Sequence, residues 1–94
     1  MPDAIPISDV IHVPEARRFE IRSGNAVAVA EYVRGEGTLV FTHTYVPPEL
    51  RGRGLAERVV RVALDYARAE RLRVVPSCSY VAALVERHPE LVAP

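Results

Sequence analysis

The sequence predicts a single α/β domain of the α+β kind: an antiparallel meander of three to four strands, then a βαβ unit and a C-terminal helix. Three observations predict it. Apolar segments in the first half are separated by turns short enough to force antiparallel pairing. An apolar stripe at three- and four-residue spacing starts at Leu55 and continues to Tyr66. Between the two lies Arg51-Gly52-Arg53-Gly54, a glycine-rich turn joining a strand to a helix.

Taken in order, residues 1–16, with Pro2, Pro6 and Pro14, read as an extended lead-in, and Val10-Ile11-His12-Val13 can form a short edge strand. Phe19-Glu20-Ile21-Arg22 alternates apolar and polar residues, the period of a half-buried strand. Ser23-Gly24-Asn25 is a turn, Ala26 to Val33 a second strand, Arg34 to Gly37 another turn, and Thr38 to Val46 a third strand. Pro47-Pro48 ends the sheet pattern. The helix over 53–70 buries Leu55, Val59, Val62, Ala63 and Tyr66 and turns Glu57, Arg58, Arg61, Asp65 and Arg68 outward, with Glu57 and Arg61 spaced as a favourable ion pair. Leu72 to Pro76 is a short buried strand, and Ser79 to Arg87 a second helix stopped by Pro89. Strands 38–46 and 72–76 are then parallel, so the glycine-rich turn and Cys78 follow the carboxyl ends of both and share the sheet edge where open α/β sheets bind ligands.

Composition narrows the function classes. The 94 residues are 49% hydrophobic and 26% charged, which suits one small globular domain over residues 1–94. No apolar run reaches the length of a membrane span, Met1-Pro2-Asp3 does not open a signal peptide, and one cysteine suits a reducing compartment, so a cytoplasmic protein is expected. Three scattered histidines and one cysteine have no ligand spacing, and no metal is expected. The zero net charge hides an asymmetry. Residues 1–50 carry four arginines against seven acids, residues 51–73 seven against three, and lysine is absent. The basic surplus coincides with the glycine-rich turn. There, backbone N–H groups at a helix start and the flanking Arg51 and Arg53 would favour an anionic diphosphate. Nucleic acid is disfavoured because the arginines lack interleaved exposed aromatic residues.

Val46-Pro47 followed by Arg51-Gly52-Arg53-Gly54-Leu55-Ala56 resembles the acyl-CoA signature of the GNAT acetyltransferases: arginine or glutamine, two free positions, glycine, one free position, then glycine or alanine. Arg51, Gly54 and Ala56 occupy its specified positions. His43-Thr44-Tyr45-Val46, Pro76-Ser77-Cys78-Ser79-Tyr80 and His88-Pro89-Glu90 extend the resemblance to the small single-domain GNAT-like proteins of the YjdJ type, in register from Phe19 to Glu90. It implies a minimal GNAT-like fold and an acetyl-CoA-dependent N-acetyltransferase. Val46, Arg51, Gly52, Arg53, Gly54, Leu55 and Ala56 would hold the CoA pyrophosphate, and the acceptor would be an unidentified amine on a protein or peptide. The alternative it leaves open is a non-catalytic CoA-binding or protein-interaction module. A monomer or weak homodimer is expected.

The sequence also departs from larger members. They place two helices where Ser23-Gly24-Asn25 stands and add two strands after the last helix, so the acceptor side is expected to be open. The tyrosine that many members carry in the last helix aligns with Val85. Three residues are left to manage protons. Cys78 stands at a helix start, which favours thiolate; its other reading is a small buried apolar residue. Tyr80, two residues on, is a proton donor for a leaving thiolate or an aromatic core contact. His43 alternates onto one face with Leu39, Phe41 and Tyr45, as a base for an incoming ammonium or as a satisfied core group.

Overall fold

A computed structural model describes residues 6–92; the first five residues of the expected lead-in, and the last two of the chain, lie outside the described residues. Five strands form one sheet in chain order: β1 Ile11–Val13, β2 Arg18–Ser23, β3 Ala26–Gly35, β4 Thr38–Tyr45 and β5 Arg73–Pro76. The first four are antiparallel neighbours, and β4 and β5 are parallel. Two helices complete the fold, α1 Leu55–Ala69 between β4 and β5, and α2 Ser79–Arg87 after β5. This is the meander, βαβ unit and final helix that the residue periods predict.

The alternation in β2 and β3 makes the core. Phe19, Ile21, Ala28, Ala30 and Tyr32 point to one face, and α1 packs across it. Alanines on β3 let the helix approach closely. From β4 come Leu39 and Phe41, from α1 Leu55, Val59, Val60, Ala63, Leu64 and Ala67, and from α2 Val81 and Leu84, all in one continuous cluster. The helix stripe therefore lies slightly round from its expected place. Val62 is 39% exposed, whereas Val60, Leu64 and Ala67 are buried. Residues 55, 59, 60, 63, 64 and 67 form a wide inward stripe that a twisted four-strand surface can cover. Glu57 and Arg61 do pair, at 2.7 Å.

Two polar side chains, one buried and one half-buried, are tied to the sheet. Glu20 is 2% exposed on the sheet face opposite the core, clamped at 2.5 and 2.6 Å by Arg18 and Arg22 of its own strand. Burial pushes its carboxyl up, but the hydrogen bonds and charges of Arg22 and Arg18 outweigh this and hold it below the ordinary value. His12 of β1 stacks on Phe19 at 4.0 Å and hydrogen-bonds the Tyr32 hydroxyl through Nε2 at 2.7 Å.

One irregularity decides the site. Opposite β3, Glu31 pairs with His43 but Tyr32 pairs with Phe41, leaving Thr42 of β4 as an extra residue. Such a bulge inverts the faces of everything beyond it. Thr44, partner of buried Ala30, thus resumes the core face after Phe41. His43 moves to the opposite face with Tyr45, the two rings stacked at 6.3 Å. The expectation that His43 shares the face of Leu39 and Phe41 is corrected: strict alternation fails at the bulge.

Candidate active site

The chain leaves β4 through Pro47, makes a short 3-10 turn at Pro48–Leu50, and reaches the glycine-rich turn. Gly52 has φ +80° and Gly54 φ +72°, the left-handed region that other residues enter only with strain. A Cβ at either would meet nothing within 4 Å, so the backbone angle, not crowding, calls for glycine. The same open space exposes the turn's backbone. Gly54 is the N-cap of α1 and supplies no side-chain cap, which leaves the helix's first N–H groups directed outward beside its positive dipole end. An anion there would satisfy both.

A groove of about 260 Å³ runs along this turn, lined by Val46, Leu50, Arg51, Gly52, Gly54, Leu55, Ala56, Glu57 and Tyr80. Six of the seven residues expected to hold pyrophosphate lie on it, together with Tyr80. Arg53 is exposed but is not part of the wall. Arg51 turns back: its Nε donates to the Val46 carbonyl at 2.9 Å and its guanidinium lies 6.0 Å from the centre of the Tyr45 ring. It thus pins the turn to the end of β4. Leu50 and Glu57 were not legible as site residues. Glu57 places a carboxylate on the groove wall, and its pairing with Arg61 offsets that charge.

The parallel pairing of β4 and β5 ends at Phe41 and Pro76. Beyond it the Cys78 N–H donates to the Phe41 carbonyl at 2.9 Å, fastening the start of α2 to the bulge. Cys78 is the N-cap of α2, and its sulfur lies 3.5 Å from the Thr44 hydroxyl, which the bulge delivers to this face. Burial pushes the thiol up. The Thr44 hydroxyl, then the backbone N–H groups of Val81, Tyr80 and Thr44, outweigh burial and hold it below its ordinary value. Tyr80 moves the other way, raised by burial first and by Glu57 next, with Arg87 and Arg61 opposing. The structure therefore brings Cys78 together with Thr44 and sets Tyr80 in the groove. His43 is exposed on the other face of the sheet. Val85 is half-buried against the core. Among the described residues no group of three or more His, Cys, Asp or Glu side chains could hold a metal ion, and no helix is long and apolar enough to cross a membrane.

A mixed sheet whose last strand pair alone is parallel, with an uncapped glycine-rich helix start at the carboxyl end of that pair, is the architecture of the acyltransferase class that the motif resembles. The sequence comparison agrees. Residues 18–93 match the family described as GCN5-related N-acetyl-transferase, and the chain belongs to that family. It is 34% identical over 84 residues to Protein NATD1 of Xenopus tropicalis, spanning 85% of this chain and 76% of that protein. Protein NATD1 of Bos taurus is 36% identical over the same length, with 85% and 74% covered. For Protein NATD1 of Homo sapiens the figures are 34%, 85% and 74%.

Proposed function

We propose that the protein transfers an acetyl group from acetyl-CoA to an exposed amine of a larger partner, a protein or peptide. The observation that carries this is the groove itself: the uncapped start of α1 and the open glycine backbone run to Tyr80, in the first turn of α2 and two residues after Cys78. The residues present fit a CoA diphosphate. The N–H groups of Leu55 and Ala56 would hold it, with Arg53 adding charge and Arg51 keeping the turn in place. When bound, acetyl-CoA supplies an activated thioester. The chain's own groups supply the proton steps. Cys78, held towards thiolate, takes the proton that the amine nitrogen loses as the new C–N bond forms. Tyr80, held in its protonated form, gives a proton to the sulfur as the C–S bond breaks. Two titratable groups pushed in opposite directions suit a base and an acid. The acceptor side is open, since β2 passes into β3 through Gly24 and Asn25 alone, which suits a large partner better than a small enclosed amine.

Calorimetry with CoA and acetyl-CoA, followed by free-thiol release in the presence of amine-bearing peptides, tests the reading. Failure to bind either CoA species overturns it. Binding without thiol release across a broad peptide panel would instead identify a CoA-binding module. Because the chain has no lysine, intact mass after incubation with acetyl-CoA is easily read. A hydroxylamine-labile adduct lost in Cys78→Ala would mean that Cys78 carries the acetyl group itself rather than serving as base.

A further inference from the structure

A second cavity lies away from the groove. A pocket of about 460 Å³ lies between the C-terminal end of α1, β5 and the 3-10 turn Pro89–Leu91. Arg68 stands thirteen residues along the helix from Leu55, roughly 20 Å at 1.5 Å per residue, so the two sites are separate. Leu64, Leu72, Val74, Leu91 and Val92 make its wall, and Arg68 and Arg71 are its charged residues. Its volume falls in the range of small-molecule sites, with apolar walls and few polar groups.

The two arginines are what the core does not explain. Neither forms an ion pair with a carboxylate among the described residues; Arg68 donates only to the Glu90 carbonyl at 2.8 Å, while the Glu90 carboxylate faces His88 at 3.5 Å. Arg71 also has φ +57°. It occupies the left-handed position after α1, where the Arg71 N–H bonds the Arg68 carbonyl and the Leu72 N–H the Ala67 carbonyl. Glycine is the usual residue there, and arginine costs about 1 kcal/mol more. That cost is borne at a residue that lines the apolar cavity. A helix C-terminus favours a cation, but that preference does not require the left-handed position.

We infer that this pocket binds an amphipathic carboxylate, an aliphatic acid whose chain lies against Leu64, Leu72 and Leu91 and whose carboxylate is held by Arg71 and Arg68. The aliphatic chain replaces water along the apolar wall, and the guanidinium pair meets a charge that no carboxylate among the described residues supplies.

Decanoate is the probe, with decanol and acetate as controls, followed by calorimetry and by methyl NMR of the leucines. The expected result is saturable binding of decanoate with shifts at Leu64, Leu72 and Leu91, and binding of each control weaker by about tenfold or more. Arg71→Gly is the decisive variant, because glycine suits the left-handed position. It should keep or raise the melting temperature and leave CoA binding at the groove unchanged, yet weaken decanoate about tenfold. Arg68→Ala should weaken it in the same direction. No saturable decanoate binding, decanol binding as tightly as decanoate, or full affinity in Arg71→Gly would each overturn the inference.

Discussion

The contact between Thr44 and Cys78 gives the sharpest test of how the bulge builds the site. Thr44→Val keeps the shape of the side chain and removes only the hydroxyl 3.5 Å from the sulfur. In the native protein that hydroxyl is the largest of the effects that favour the thiolate, ahead of the N–H groups of Val81, Tyr80 and Thr44. Its removal leaves burial less opposed, so the thiol should titrate at higher pH than in the native protein. A net hydrogen bond is worth about 1 kcal/mol, which corresponds to roughly a fivefold smaller thiolate fraction near neutral pH. The assay is the pH dependence of iodoacetamide alkylation at Cys78, which is partly accessible. The expected outcome is about fivefold slower alkylation at neutral pH, converging with native protein at high pH where both thiols are ionised. Thr42→Val, one residue before His43 at the bulge, serves as a control and should not shift the profile. An unchanged profile in Thr44→Val, or an equal shift in the control, would refute the argument that the bulge places Thr44 to tune this sulfur.

Glu20→Gln probes the buried clamp. The Glu20 pKa is depressed on folding below its ordinary 4.5, so its contribution is present above that value and lost as pH falls through the folded one. Denaturant midpoints across the acid range should show native stability falling more steeply than that of Glu20→Gln; parallel curves would count against the clamp. Leu84→Ala removes a fully buried anchor of α2 and should cost about 2–5 kcal/mol, seen as a lowered melting temperature. Gly54→Ala meets no atom within 4 Å but enters φ +72°, so about 1 kcal/mol of strain should appear in stability, together with weaker CoA binding. Arg51→Ala frees the Val46 carbonyl and should weaken CoA in calorimetry without changing the pH profile of Cys78.

Much of this architecture is legible in one chain because its causes are local. The two-residue period of Phe19 to Arg22, the stripe from Leu55 and the stop at Pro89 each depend on neighbours in sequence. The glycines of the turn were readable for the same reason, since a left-handed angle is a property of one residue. His43 was misplaced because period-2 alternation assumes an unbroken ladder. Nothing in Thr42-His43-Thr44 announces that β3 will pair Tyr32 with Phe41 and skip a residue. Thr44 therefore has no role of its own in the sequence, only a place in the His43-Thr44-Tyr45-Val46 resemblance. Val62 fits the three- and four-residue spacing from Leu55 and so reads as inward, whereas packing on the twisted sheet buries Val60, Leu64 and Ala67 instead.

The sequence by itself determined the order of strands and helices, the parallel final pair, the family and the glycine-rich turn. These rest on periodicity, backbone angles and motif spacing, which are written along the chain. Only the tertiary structure decided which side chains meet: Thr44 rather than His43 beside Cys78, Tyr80 in the groove, Arg51 folded back on Val46, and Arg71 at the rim of a second cavity. Those outcomes depend on register between strands and on packing across layers. Both join residues distant in sequence, and a one-residue shift in either exchanges one face of a strand for the other.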